Sequence, residues 1–347
     1  MSSDTRRGED SRRPTAIRAS WDTFAPTRPF QPLWVTLAVL CALPGLVATY
    51  LRVVPPTDDG PALFASFISY AAVAYLLALV FFGVALVRAR RRAALGVLAT
   101  ATAVLLACHL SWLAPLFLAD DRPAATPGFT LMSLNTLYGA ADPQQVWDQA
   151  RGADVVVLLE ATSEGVERLR ALGWDERFPH SAGVVGGGVA DTLLYSRFPV
   201  TDQAELSQST FQQWVATVSV PQVGAVRIIA AHPCNPFCGG NAFDREHREL
   251  RAEAVRNLNR PLVVAGDLNA VEDHAPLLAL RRDGLKSVTD IAGAGWLPTY
   301  PANHRLPPLL PIDHILVNHL LTATKVDTFR IADTDHLGLM ATISGTR

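Results

Sequence analysis

Two regimes of hydrophobic patterning divide this chain. Leu33–Leu51, Leu63–Val87 and Ala93–Leu118 each run for 19 to 26 residues without a Lys, Arg, Asp or Glu, and about 20 apolar residues are enough to cross the hydrocarbon core of a bilayer. A cleaved signal peptide would be one short apolar region ahead of a small-residue cleavage site, so long spans in series read as three transmembrane helices that stay. After Leu118 the pattern shortens to brief apolar runs separated by polar helical stretches. Strands are predicted at Phe129–Leu134, Asp154–Leu159, Thr192–Ser196, Trp214–Val220, Val226–Ala231, Leu262–Ala265, Ile312–Val317 and Leu339–Ile343. Helices are predicted at Pro143–Arg151, Ala242–Leu258 and Ala275–Arg282. This mixed succession gives one α/β domain with a layered core over residues 129–347, joined to the spans by a Pro-containing linker at 119–128. Residues 1–32 are polar, rich in Arg and Ser and without apolar period, and read as a disordered tail. Within the spans, Pro44 and Gly45 are expected to bend the first helix. Ser66, Ser69 and the small residues around Ala71 are expected to help the second pack on a neighbouring helix, and His109 to be an interfacial or helix-contact residue.

Charge then orients the spans. The tail carries Arg6, Arg7, Arg12, Arg13, Arg18 and Arg28, and the second connection carries Arg88, Arg90, Arg91 and Arg92, whereas the first connection and the segment after the third span are acidic. Short basic flanks stay on the cytoplasmic side, so the tail is expected inside and everything after Leu118 outside. Of the chain's 30 basic and 32 acidic residues, those up to Ala119 include 11 Arg, no Lys and 6 acids, which leaves the outer part with 19 basic and 26 acidic residues, a net of −7. Such a domain is a poor partner for bulk nucleic acid, whose affinity rests on Lys and Arg neutralising phosphates.

Polar residues stand at the ends of five of these strands and just after Ala332–Thr334. These are Asn135, Glu160, His232, Asp267 with Asn269, Asp313, and Asp335 with His336. Taken singly they are turn residues, a helix cap, a core histidine and solvated acids. If the strands share one sheet edge, all eight converge on a pocket where carboxylates and amides suit a hard cation and a phosphate oxygen. Gly266 is expected to let the backbone come close to whatever sits above that strand end. Cys234 and Cys238 follow His232; no further ligands lie near enough for a metal, and an oxidising exterior favours a disulfide over free thiols. Gly186–Gly188 lacks the strand-to-helix pattern of a phosphate cradle and reads as a loop beside the pocket.

The ordered motifs are SLN at Ser133–Asn135, LLE at Leu158–Glu160, YSRFPV at Tyr195–Val200, AAHP at Ala230–Pro233, AGDLNA at Ala265–Ala270, PTYP at Pro298–Pro301, IDHIL at Ile312–Leu316 and TDH at Thr334–His336. Together they resemble the endonuclease/exonuclease/phosphatase superfamily, which includes DNase I-like nucleases and neutral sphingomyelinases. Leu159 and Thr334 depart from the Gln and Ser frequent in that family. The resemblance implies a DNase I-like four-layer α/β sandwich, here preceded by three transmembrane helices. It implies Mg²⁺ or Mn²⁺ held by Glu160 with Asn135 and Asp335. It also implies a catalytic set of His336 oriented by Asp313, Asp267 and Asn269 placing water and phosphate, and His232 on a phosphate oxygen. Either His336 or Asp267 is then the general base. A three-span anchor with an outward domain also resembles actinobacterial membrane proteins linked to teicoplanin resistance, the VanJ type. The expectation is a membrane-anchored extracytoplasmic phosphoesterase acting on a lipid-linked phosphate or pyrophosphate. An extracytoplasmic nuclease and a non-catalytic ligand-binding membrane protein are its rivals.

Overall fold

A computed structural model describes residues 31–89, 92–186, 191–206 and 209–346. The expected tail therefore lies almost wholly outside the described residues, as do Arg90, Arg91, Gly187 and Gly188. The apolar runs form α1 (Gln31–Val53), α2 (Asp59–Ala65), α3 (Ala71–Arg88) and α4 (Ala93–Leu113), with single 3₁₀ turns at Ile68–Tyr70 and Ala114–Phe117. Three segments are long and apolar enough to cross a membrane: Pro32–Val53, Asp59–Arg88 and Ala93–Phe117. The second departs from expectation, because it breaks at Ser66–Tyr70 into an elbow that leans on the α/β domain. Ser66 and Ser69 bond His274 and Asp273 of that domain, at 3.4 and 2.9 Å, rather than a neighbouring helix. α1 continues through Pro44, and Gly45 serves packing, since a Cβ there would lie 2.8 Å from the Tyr75 ring of α3. His109 bonds Thr49 of α1 at 2.9 Å.

The domain then runs β1 (Phe129–Asn135), α5 (Pro143–Ala150), β2 (Val155–Ala161), α6 (Ser163–Arg170), α7 (Trp174–Arg177), β3 (His180–Ala182), β4 (Asp191–Ser196), β5 (Val200–Glu205), β6 (Trp214–Val220), β7 (Gly224–Ala231), α8 (Ala242–Arg256), β8 (Leu262–Asp267), α9 (Ala275–Arg282), β9 (Lys286–Ser287), α10 (Val288–Ala292), β10 (Asp313–Val317), β11 (Leu321–Arg330) and β12 (Leu337–Gly345). Two six-stranded mixed sheets result, ordered β11-β12-β1-β2-β4-β3 and β5-β6-β7-β8-β10-β9.

Period-2 alternation builds four layers from this order. Leu131, Val155, Val157 and Leu159 of the first sheet meet Val226, Ile228, Val263, Ala265 and Ile315 of the second in a core between the sheets. The opposite faces, Met132, Leu134, Val156 and Leu158 on one side and Ile229, Leu262 and Val264 on the other, are covered by α5–α7 and by α8–α9. Ala62 of α2 joins the second of these outer cores, so the helix hairpin is packed on the domain as well as tethered to it.

Candidate active site

The inner faces of both sheets end in polar residues. Continuing the alternation past Leu131, Ile228, Val263 and Ile315 puts Asn135, His232, Asp267 and Asp313 on the inner face at the same end of the sandwich. The site is thus the polar continuation of the inter-sheet core. Glu160 needs an extra device, since unbroken alternation would send it outward with Leu158. A β-bulge between Leu158 and Ala161 resets the phase, with Glu160 at φ +51° and Ala161 taking the outward position. Gly266, at φ +148°, permits a close backbone approach, and the approach is to the neighbouring strand. A Cβ there would lie 1.9 Å from the Ala231 carbonyl of β7, so the glycine lets two parallel strands close. Asp335 and His336 do not follow a strand either; they lie in the turn between β11 and β12.

Asn135 ties the cluster together. Its Nδ2 donates to Glu160 Oε1 (3.0 Å) and Asp267 Oδ2 (3.1 Å), while its Oδ1 accepts from the Leu137 N–H (3.0 Å). Turning the amide over would set its NH₂ against that N–H. Asn135 therefore faces the carboxylates as a donor, and the expected role as an oxygen ligand gives way to one of holding Glu160 and Asp267 together. His336 Nδ1 bonds Asp313 Oδ2 at 2.7 Å, and its Nε2 lies 3.6 Å from Asp267 Oδ2 and 3.9 Å from Asp335 Oδ1. His232 is buried, stacked on Phe211 with ring centroids 4.5 Å apart, and its Nε2 is 3.8 Å from Asp267 and 3.9 Å from Glu160. Asn269, in the left-handed region, donates its backbone N–H to Asp267 Oδ1 (2.9 Å) and one side-chain hydrogen to the Pro233 carbonyl (3.1 Å). Asp335 stands at the rim with its side chain 20% exposed. Cys234 and Cys238 are joined in a disulfide, Cα atoms 6.1 Å apart, on the loop after His232.

Burial raises Glu160 above the ordinary carboxylate range; the Asn135 bond opposes this and the Asp267 charge adds to it. Burial likewise raises Asp267, with His336 opposing, and lowers His232, which is neutral at pH 7. Burial would lower His336 too, but the charges of Asp313 and Asp267, the Asp313 hydrogen bond and Asp335 outweigh it and push the imidazole up to about 10. Among the described residues none of Glu160, Asp267, Asp313 and Asp335 is paired with Lys or Arg, and the imidazoles of His232 and His336 are their only titratable nitrogen neighbours. Oxygen donors in such excess over positive charge fit a divalent cation. Asp267, Asp313 and His336 offer ligand atoms within 4.8 Å of one another. His336 Nδ1 in that trio is already bonded to Asp313, and Glu160 and the rim Asp335 are further oxygen donors at the cluster.

Several residues that build this site had no role assigned from the sequence. Glu246, fully buried on α8, accepts from the Cys234 and Thr210 N–H groups (both 2.9 Å) and from the Ser209 and Thr210 hydroxyls. It thereby fixes the disulfide loop and the segment bearing Phe211. Its only signal was a carboxylate on the apolar side of an amphipathic helix. Thr299 accepts from the Ile312 and Asp313 N–H groups (both 3.3 Å), and Thr334 bridges the Asn135 carbonyl and the His336 N–H.

The profile of the Endonuclease/Exonuclease/phosphatase family matches residues 132–336. Solved structures of the same fold include an endonuclease/exonuclease/phosphatase from Beutenbergia cavernae DSM 12333, 18% identical, with TM-score 0.50 over 63% of this chain and 72% of its own. A second, from Bacteroides vulgatus, is 17% identical with TM-score 0.51 over 63% of this chain and 99% of its own. D. rerio TDP2 complexed with single strand DNA product is 16% identical with TM-score 0.50 over 62% and 99%. No match was found among curated proteins. The structural likenesses speak to the fold, and the profile match opens in β1 and closes on His336, taking in every strand end that reaches the cluster. This chain belongs to the endonuclease/exonuclease/phosphatase family.

Proposed function

We propose that the protein is a membrane-anchored, metal-dependent phosphoesterase whose site lies outside the cell and acts on a lipid-linked phosphate or pyrophosphate. The observation that carries the catalytic part is the single buried cluster in which Asn135 joins Glu160 to Asp267 and Asp313 holds His336. Glu160, with Asp335, would hold Mg²⁺ or Mn²⁺, which supplies withdrawal of charge from the phosphoryl oxygens. His336, kept protonated by Asp313 and Asp267, is the wrong form for a base. It donates from Nε2 to a phosphoryl oxygen where negative charge develops. Asp267, aligned by the Asn269 N–H, takes the proton of the attacking water. Neutral His232 hydrogen-bonds the phosphate from the other side.

Placement outside the cell is supported by the ends of the helices. The Val53 end of α1, the elbow and Ala114–Phe117 meet the domain, opposite the Arg-bearing turn between α3 and α4. A lipid-borne substrate is supported by tethering, which keeps headgroups at high effective concentration, and by the acidic surface, which repels nucleic acid. The test is metal-dependent turnover by the full chain on polyprenyl pyrophosphates and phospholipids in vesicles, with DNA in parallel. Phosphate release from the lipids is expected; efficient DNA degradation without it would replace this reading with the nuclease one. A cellular phenotype that survives both Glu160→Ala and His336→Ala would point to binding instead of catalysis.

A further inference from the structure

Large apolar side chains exposed singly on a protein surface are ordinary, but here three stand on two loops that also contact residues of the cluster. The loop from β7 to α8 carries Phe237, 80% exposed, between the two disulfide-bonded cysteines. The loop from Tyr300 to β10 carries Leu306, 73% exposed, and Leu309, 44% exposed. Both loops touch catalytic groups. Pro233 of the first accepts the Asn269 amide, and Leu309 of the second donates its N–H to the Tyr300 carbonyl (2.8 Å), whose ring lies 4.9 Å from that of His336.

Both loops are also bonded to the first part of the second apolar segment, α2 and the elbow after it. Asp59 Oδ2 accepts the Asn241 N–H at the end of the first loop (3.1 Å), and the Tyr70 hydroxyl donates to the Leu309 carbonyl (2.7 Å). Phe64 of α2 and Phe67 of the elbow are themselves exposed. The apolar surface of the helices therefore continues through the elbow onto the catalytic rim, and a bilayer around α1, α3 and α4 would meet these loops next. An aromatic ring and leucines at that level gain by leaving water for the interfacial layer.

We propose that the catalytic mouth is seated on the bilayer, with Phe237, Leu306 and Leu309 lying in the interfacial layer of the leaflet on the domain's side. This rests on the reading of the three apolar segments as membrane spans. A phosphate carried at the membrane surface then reaches Glu160 and His336 without its hydrocarbon leaving the bilayer.

The test uses the full chain with Cys41→Ala and Cys108→Ala, reconstituted in phosphatidylethanolamine–phosphatidylglycerol vesicles doped with nitroxide lipids. Single cysteines carry an environment-sensitive fluorophore at Leu306→Cys and Leu309→Cys, at Leu76→Cys on the exposed face of α3, and at Gln149→Cys on α5, which covers the far side of the first sheet. Leu306 and Leu309 labels are expected to be quenched about twofold by a nitroxide near the headgroups, Leu76 by one deep in the chains, and Gln149 by neither. Benzoylphenylalanine in place of Phe237 is expected to crosslink to lipid. Quenching at Leu76, with Leu306 and Leu309 behaving like Gln149 and Phe237 capturing no lipid, would overturn the seated mouth and leave the anchor standing. Absence of quenching at Leu76 would remove the membrane spans and this inference with them.

Discussion

Asp313→Asn separates the two assignments of acid and base. The native His336 Nδ1 bonds Asp313 Oδ2 at 2.7 Å with both side chains buried, so solvent screens their interaction little. The rise of His336 from 6.5 to about 10 corresponds to about 5 kcal/mol of preference for the imidazolium. Asp313 supplies the leading raising charge and a hydrogen bond, while Asp267 and Asp335 remain in the variant, so His336 is expected to fall by about 2, to near 8. If the imidazolium donates to the phosphoryl group, activity is lost as pH rises through that value. Wild-type kcat/KM on a soluble phosphodiester should hold from about pH 7 to 9, and that of the variant should decline across the same window. Stability follows the same sign. A histidine raised above its unfolded 6.5 contributes stability that is complete below 6.5 and lost as pH rises toward 10, so melting of the wild type in detergent should fall over that range more than melting of the variant. The opposite profile, in which the variant gains activity at pH 8, would mean that neutral His336 is the base and Asp267 is not.

Three further substitutions probe other parts of the site. Glu160→Gln should weaken Mn²⁺ binding about 100-fold by titration calorimetry and abolish turnover. Without metal it should melt higher than wild type at neutral pH, because a buried carboxylate held above its ordinary range destabilises the fold there. Gly266→Ala should cost about 3 kcal/mol or more, since φ +148° and the Ala231 carbonyl both oppose a Cβ; a variant as protease-resistant as wild type would contradict the strand-closure argument. Glu246→Ala leaves the buried Cys234 N–H and the exposed Thr210 N–H without their shared partner and should lower stability by about 1 to 3 kcal/mol in urea, with Glu246→Gln recovering part of it.

The inner strands were legible because they are buried on both faces, and a run such as DVVVLL or PLVVAG has no other reading. The edge strands were not. β5, VTDQAE, is exposed along nearly all its length, and β11, LTATKVDTFR, carries a bulge between Ala323 and Lys325 that breaks its alternation. The converging residues Asn135, His232, Asp267 and Asp313 could be read because each continues the phase of its strand. Glu160 shares the place only through a bulge that no local pattern announces. The direction of the Asn135 amide was beyond sequence altogether, since it is set by the Leu137 N–H.

Hydropathy did not reveal the elbow in the second apolar segment, for a physical reason. A window of apolar residues reports aversion to water and says nothing about whether lipid or protein replaces it. Ala62, Ala65 and Ile68 are buried, and Ala62 packs into the same core as Phe243 and Leu268, the residue between Asp267 and Asn269. The neighbouring side chains finish the junction. Arg52 at the end of α1 pairs with Asp273 (2.8 Å), Ser69 bonds the same carboxylate, and the Ala62 carbonyl accepts from His274 Nε2 at 2.8 Å, the ring's Nδ1 accepting the Val271 N–H. Residues 271–274 continue directly from the turn that aligns Asp267. The second apolar segment and the loop carrying Asp267 and Asn269 therefore share one set of packing and hydrogen-bonding contacts, and that segment belongs to the scaffold that holds the two residues in place.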